Sequence, residues 1–128
     1  MIRRITITMG QARWRADLND TATALAIMEA LPLQARASRW GGEIYFPIPV
    51  EAGVESGARE VVQAGEIAFW PPGSAFCIFF GRTPASEGDE IRAASAVNIV
   101  GRIDGKLDDF WKVPDGAKVS IREYAEEL

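Results

Sequence analysis

The chain has 128 residues, 48% of them apolar and 25% charged, with a net charge of −4, which suits one domain built on one core, residues 1–128. No Lys/Arg run exceeds Arg3-Arg4, so a surface that tracks phosphates, and with it nucleic acid as a partner, is not expected. Histidine is absent, which excludes Ser-His-Asp and Cys-His triads, His-based zinc sites and imidazole acid/base catalysis.

In chain order, "IRRITIT" (Ile2 to Thr8) and "ARWRADL" (Ala12 to Leu18) alternate apolar and polar residues around Gly10-Gln11. Period two with a turn between predicts a hairpin wet on one side. Asn19 or Asp20 then caps a helix over "TATALAIMEAL", where Leu25, Met28 and Leu31 recur at helical spacing before Pro32 stops it. "LQARASRW" and "EIYFPIPV" read as strands separated by Gly41-Gly42, with Pro47 and Pro49 confining the end of the second to an edge or an exit.

"REVV" is a short strand, and "GEIAFW" and "AFCIFF" are strong ones. Between the last two, Pro71 and Pro72 lack the N–H a central ladder needs, so they end one strand, and Gly73 is expected to supply a positive φ to the turn. Trp70 before proline is held extended, with a minor cis fraction open to its bond with Pro71. "RTPASEGDEIRAA" (Arg82 to Ala94) is the one long polar loop, "SAVNIVGRI" and "AKVSIREY" are strands, and "GKLDDFWK" makes a helical turn or two carrying Leu107 and Phe110.

The sum is mainly β: about eight short strands and one or two helices, a pattern of sandwiches and barrels and not of alternating βαβ units. The unbroken apolar run "AFCIFF" favours closure or full coverage, because a half-wet strand alternates. A closed β-barrel of about eight strands with one or two capping helices is the expected architecture.

The blocks "WGGEIYFPIPV", "REVVQAGEIAFWPPGSAFCIFFGRTP" and "ASAVNIVGRI", in this order and spacing, resemble the small prokaryotic cyclophilin-like family, a domain of unknown function. The resemblance runs from about Asp17 to Ile121 and implies a cyclophilin-like β-barrel closed at its ends by helices. Prolyl isomerases of the cyclophilin type polarise the prolyl nitrogen with an Arg from a Phe-His-Arg strand motif, which a chain without His lacks.

Several residues are candidates for a binding site, each with a plainer reading beside it. Glu43 opens the strand "EIYF" and is either a ligand-facing carboxylate or a solvated strand start; Tyr45 lies on the same face two residues on. Arg59 is placed to clamp a carboxylate bidentately, whereas Glu60 and Glu66 read as surface ion pairs. Arg82 and Thr83 begin the polar loop, where scaffolds hold binding groups. Asn98, in an apolar strand, either contacts a ligand or satisfies loop backbone. Trp70 and Phe80 are core or pocket lining, and Trp40 beside two glycines suits an exposed rim.

Cys77 reads as a small buried hydrophobe; it excludes an intramolecular disulfide and suits a reducing cytoplasm. No apolar run approaches the ~20 residues of a membrane span, so no membrane partner is expected. The acidic clusters "EGDE", "LDD" and "YAEEL" lack calcium-loop spacing, and phosphate-loop and dinucleotide patterns are absent, so neither metal nor cofactor is expected. The function that fits is a binding module for a small molecule or peptide segment, with a polar site at the barrel mouth. The alternatives are a peptidyl-prolyl cis-trans isomerase and a carboxylate-dependent enzyme using Glu43.

Overall fold

The computed structural model describes residues 3–125. The expected first hairpin is β1 (Arg3–Met9) and β2 (Ala12–Leu18), turned at Gly10 with φ +60. Ile5, Ile7 and Met9 face Trp14, Ala16 and Leu18 across the core side. Ile2 of the expected first strand and Glu126, Glu127 and Leu128 of the acidic cluster lie outside the described residues.

Helix α1 (Ala22–Ala30) is capped by Thr21, whose Oγ1 accepts from the Ala24 N–H at 3.2 Å. Asn19, expected as the cap, acts one step earlier. Its Oδ1 accepts from the Thr21 N–H and hydroxyl at 3.2 and 2.7 Å, and its amide donates to the Ile99 carbonyl at 2.9 Å. The buried face is Thr23, Ala24 and Ile27, packed on β9, while Leu25 points outward, 38% exposed. Ala26, Met28 and Ala30 are partly buried against the same core, so the expected Met28 does pack inward while Leu25 does not.

Ten strands form among the described residues. After α1 come β3 (Leu33–Arg36), β4 (Ser38–Arg39) and β5 (Glu43–Pro47), then β6 (Arg59–Val62), β7 (Glu66–Trp70) and β8 (Ala75–Phe79), then β9 (Ile91–Asp104) and β10 (Lys118–Glu123). The nine segments read as strands become ten because "LQARASRW" breaks at Ala37. β9 also begins inside the expected polar loop, at Ile91.

The neighbours run β3-β10-β1-β2-β9-β7-β8-β5-β4, with β6 on β9. Hydrogen bonding does not close this path, as a barrel was expected to do. Its two ends, β3 and β4, are instead one stretch of chain: Ala37 between them donates to Ala117 at 2.8 Å and accepts from Gly116 at 2.7 Å. β3 pairs with β10 and β4 with β5, so covalent continuity joins the sheet where the ladder does not.

The interior holds Ile5, Ile7, Ile44, Phe46, Ile67, Phe69 and Ile121, among others. A 3-10 turn over Asp108–Lys112 adds Phe110, fully buried, its ring stacked on Trp14 at 4.1 Å and Phe80 at 5.4 Å.

A second core lies on the other face of the wall. β8 is buried along its whole length: Phe76 and Ile78 face the interior, and Ala75, Cys77 and Phe79 face outward under Val62 of β6 and Ala93 and Val97 of β9. β9 is long enough to do both jobs. Its first half pairs with β6 over this outer face, and its second half returns to the wall between β7 and β2.

Close backbone contact fixes the turn between β4 and β5. A Cβ on Gly42 would lie 2.3–2.5 Å from backbone atoms of Gly81, whereas nothing lies within 4 Å of one on Gly53. Gly42→Ala is therefore expected to cost more than about 2 kcal/mol and Gly53→Ala to stay within about 0.5 kcal/mol; urea denaturation of both variants checks this, and equal losses would contradict the contact.

Candidate functional site

The turn Trp40-Gly41-Gly42-Glu43 is closed by two backbone hydrogen bonds, Trp40 N–H to the Glu43 carbonyl at 2.9 Å and Glu43 N–H to the Trp40 carbonyl at 3.2 Å. Gly41 takes φ +60, which a residue with a Cβ rarely adopts. Gly42 donates to the Arg82 carbonyl at 2.7 Å and accepts from Phe80 at 2.8 Å. So locked, the turn starts β5 with Glu43 on the outward face. Tyr45 follows on that face, and the register partners opposite the two are Phe79 and Cys77.

Against this face lies a cavity of about 280 Å³, at the small end for ligand sites. Trp40, Glu43, Tyr45 and Trp70 line one side; Ala93, Ala94 and Val97 of β9 line the other. It lies between the wall and the overlying arm of β9, not at the barrel mouth, and apart from Glu43 its walls are aromatic or small and apolar.

Trp70 is held at two points. Its indole N–H donates to Ser95 Oγ at 2.7 Å. Under the ring sits Gly73, where a Cβ would come within 2.8–2.9 Å of the indole carbons. The expectation of a positive φ at Gly73 is thus corrected: Pro71–Gly73 form a 3-10 turn, Ser74 takes the left-handed conformation at φ 47, and glycine is needed for space beneath Trp70. The Trp70–Pro71 bond is trans; the cis bond among the described residues is Leu31–Pro32.

Room opposite Trp70 comes from a bulge. Arg92 pairs with Val61 and Val97 with Arg59, so four residues of β9, 93–96, face a single residue of β6. Bulges of this kind re-aim side chains and recur beside sites. Here the extra residues are Ala-Ala-Ser-Ala, too small to fill the space they border.

Glu43 is only 6% exposed. Burial raises its carboxyl from 4.5 to about 7, opposed in part by the neighbouring Cys77 thiol, whose own hydrogen bond goes to the Ala75 carbonyl at 3.7 Å. Burial and the Glu43 charge together push the Cys77 thiol well up, so this cysteine is an inert neighbour, not a nucleophile. No arginine or lysine lines the cavity, and no ion pair involves Glu43 among the described residues. No group of three or more metal-ligating side chains is found among them either.

The remaining candidates lie outside the cavity. Arg59 does grip a carboxylate bidentately, but it is that of Glu66, at 2.9 and 2.8 Å. Glu66 is buried, not on the surface as its sequence context suggests. Burial pushes its carboxyl up, and the hydrogen bonds from Arg59 and the Gln63 N–H outweigh that, holding it below its ordinary value. Phe80 packs in the interior against Phe110 and edge-on to Trp111.

Arg82 is exposed. Thr83 is buried and staples its loop, its hydroxyl donating to the Arg92 carbonyl and accepting from Ala85 N–H. Asn98 accepts from Glu55 N–H at 2.9 Å and donates to the Gly53 carbonyl at 2.9 Å and to Thr23 Oγ1 at 3.2 Å. That is the backbone-satisfying arrangement. Sequence reasoning missed Ala93, Ala94 and Val97; alanines carry no chemical signal, and only the mismatch in strand lengths hints at a bulge.

The cyclophilin-like family model matches residues 3–122. The fold is also that of the solution structure of a hypothetical protein from Archaeoglobus fulgidus, which is 39% identical, covers 96% of this chain and 95% of its own, and superposes with a TM-score of 0.83. None of the curated proteins matches the chain.

Two expectations follow from this geometry. Because the Glu43 pKa is raised on folding, the folded state keeps a proton that the unfolded chain has released. The contribution of Glu43 to stability is therefore greatest below pH 4.5 and falls as pH rises to about 7, by an amount on the order of 3 kcal/mol. Glu43→Gln should match the parent at pH 4 and exceed it at pH 8 in urea denaturation, and parallel profiles would contradict the buried carboxyl. Gly73→Ala should displace the Trp70 indole, seen as a shift of its N–H resonance, while Pro72→Ala leaves that resonance in place.

Proposed function

The chain belongs to the cyclophilin-like family, and from that premise we propose that residues 1–128 act as one domain, a binding module whose ligand enters the outer-face cavity. The observation that carries this is the Glu43 carboxyl: buried, unpaired by any base among the described residues, and open to a space walled by Trp40, Tyr45 and Trp70. A small pocket with aromatic walls and one polar group that fixes orientation is how compact ligands are held. The single buried thiol suits a reducing cytoplasm.

Prolyl isomerisation by the cyclophilin route needs a guanidinium at the ligand, and the arginine nearest in expectation, Arg59, is bound to Glu66. A second reading has one specific support. A carboxyl raised to about 7 in a partly closed cleft is suited to proton transfer near neutrality, so Glu43 would serve as a general base.

Ala94 borders the cavity and is itself exposed, so Ala94→Leu should fill the entrance without unfolding the domain. In amide and indole NMR titrations with a panel of small fragments and Xaa-Pro peptides, ligands should shift the Trp40 and Trp70 indoles and residues 93–97. Ala94→Leu should remove those shifts at unchanged melting temperature. Shifts that persist in Ala94→Leu, or that fall elsewhere, would move the site. Cis-trans exchange of the peptides, recorded in the same samples, should stay at the uncatalysed rate.

A further inference from the structure

Resting on that reading, we infer that the cavity selects a small organic cation, an alkylated ammonium group, with Glu43 as its counter-charge and Trp40, Tyr45 and Trp70 as its walls. Three features lead there.

The first is charge. The groups facing Glu43 from the packed elements are Tyr45 on its own strand, Cys77 on β8, Trp70 on β7 and the small side chains of β9. None is basic, and Arg39, the guanidinium closest in sequence, is turned away to the carbonyls of Gly41, Trp111 and Val113. An ionised carboxylate left in such a place is costly, and a cation entering the cavity offsets that cost. An anionic ligand would meet a like charge and no basic partner.

The second is the walls. Two indoles and a phenol line one space, and a cation held over the face of such a ring gains on the order of 0.5–2 kcal/mol. The Trp70 ring is fixed in advance by Ser95 and by the space at Gly73, so it does not have to be ordered on binding.

The third is the degree of alkylation. A primary ammonium carries three donors and needs three acceptors. The acceptors of the lining, the Glu43 carboxylate and the Tyr45 hydroxyl, stand on one wall only, whereas Ala93, Ala94 and Val97 of β9 offer no side-chain acceptor on the other and are matched to methyl groups. The volume of about 280 Å³ accommodates a head group with a short tail and little more.

Choline and its neutral isostere 3,3-dimethylbutan-1-ol separate charge from shape. Titrated into the intact protein at pH 8 and followed at the Trp40 and Trp70 indole N–H resonances, choline should bind at least about tenfold more tightly than the isostere. Glu43→Gln should bring choline to the level of the isostere and leave the isostere unchanged. In the parent, choline affinity should weaken as pH falls below 7. A parallel arm with a trimethyllysine peptide distinguishes a free metabolite from a modified side chain as the carrier.

Equal affinity of choline and isostere at the two indoles would overturn the cation inference while leaving the binding reading standing. Silence from choline overturns it as well. If the fragment and peptide panel is also silent at these residues, the binding reading falls with it.

Discussion

The strand Ala75–Phe79 is buried on both faces, and most of what distinguishes this domain follows from that. A barrel wall normally needs cover on its inner side only. Here Cys77 and Phe79 point outward, and leaving them wet would forfeit roughly 1.5–3 kcal/mol for each large side chain. The chain answers with a β9 of 14 residues, whose first half lies with β6 across the outer face. The bulge at 93–96 keeps that cover from sealing tightly over Glu43 and Trp70. The cavity is therefore a by-product of covering a doubly apolar strand with an arm that does not match it residue for residue.

What fixes the cavity walls is backbone approaching backbone, more than side-chain packing. Gly42 lies on Gly81, and Gly81 lies under Trp111, where a Cβ would come within 2.4 Å of the indole. Arg39 fits against the same cluster, its guanidinium 5.6 Å from the centres of both the Phe80 and Trp111 rings. Flat groups stacked without Cβ atoms between them leave few alternative positions, so Glu43 is held by its main chain as well as by its neighbours. This is preorganisation in the sense that a ligand would meet a carboxyl already in place.

The alternating strands could be read from the residues because one face is wet: Ile5 and Ile7 against Thr6 and Thr8 declare their own register. The continuous run at 75–80 declared cover on both sides without saying what supplies it. Glu43, Tyr45, Trp40 and Trp70 could be singled out because polar and aromatic residues beside glycine and proline stand out in a β sequence. Their meeting could not, since it depends on β9 crossing about fifty residues later in the chain.

The less visible elements are those decided by long-range contacts. Thr21 takes the cap because Asn19 is drawn to the backbone of β9. Glu66 is buried because Arg59, on another strand, reaches it. Gly73 is glycine for a reason that only the position of the Trp70 ring reveals.

The break at Ala37 has a mechanical side. β3 and β4 are held by different partners, β10 and β5, yet a single residue separates them, so Ala37 acts as a clasp on an otherwise open ring. Trp40 stands three residues past it. A slip of one residue between β3 and β10 would draw the chain by about 3.3 Å and reverse which side each residue faces. That displacement would reach the Trp40–Glu43 turn through the shortest possible lever. The terminal strand β10, distant in sequence from the aromatic pocket, thereby becomes one of the elements that hold its rim in position.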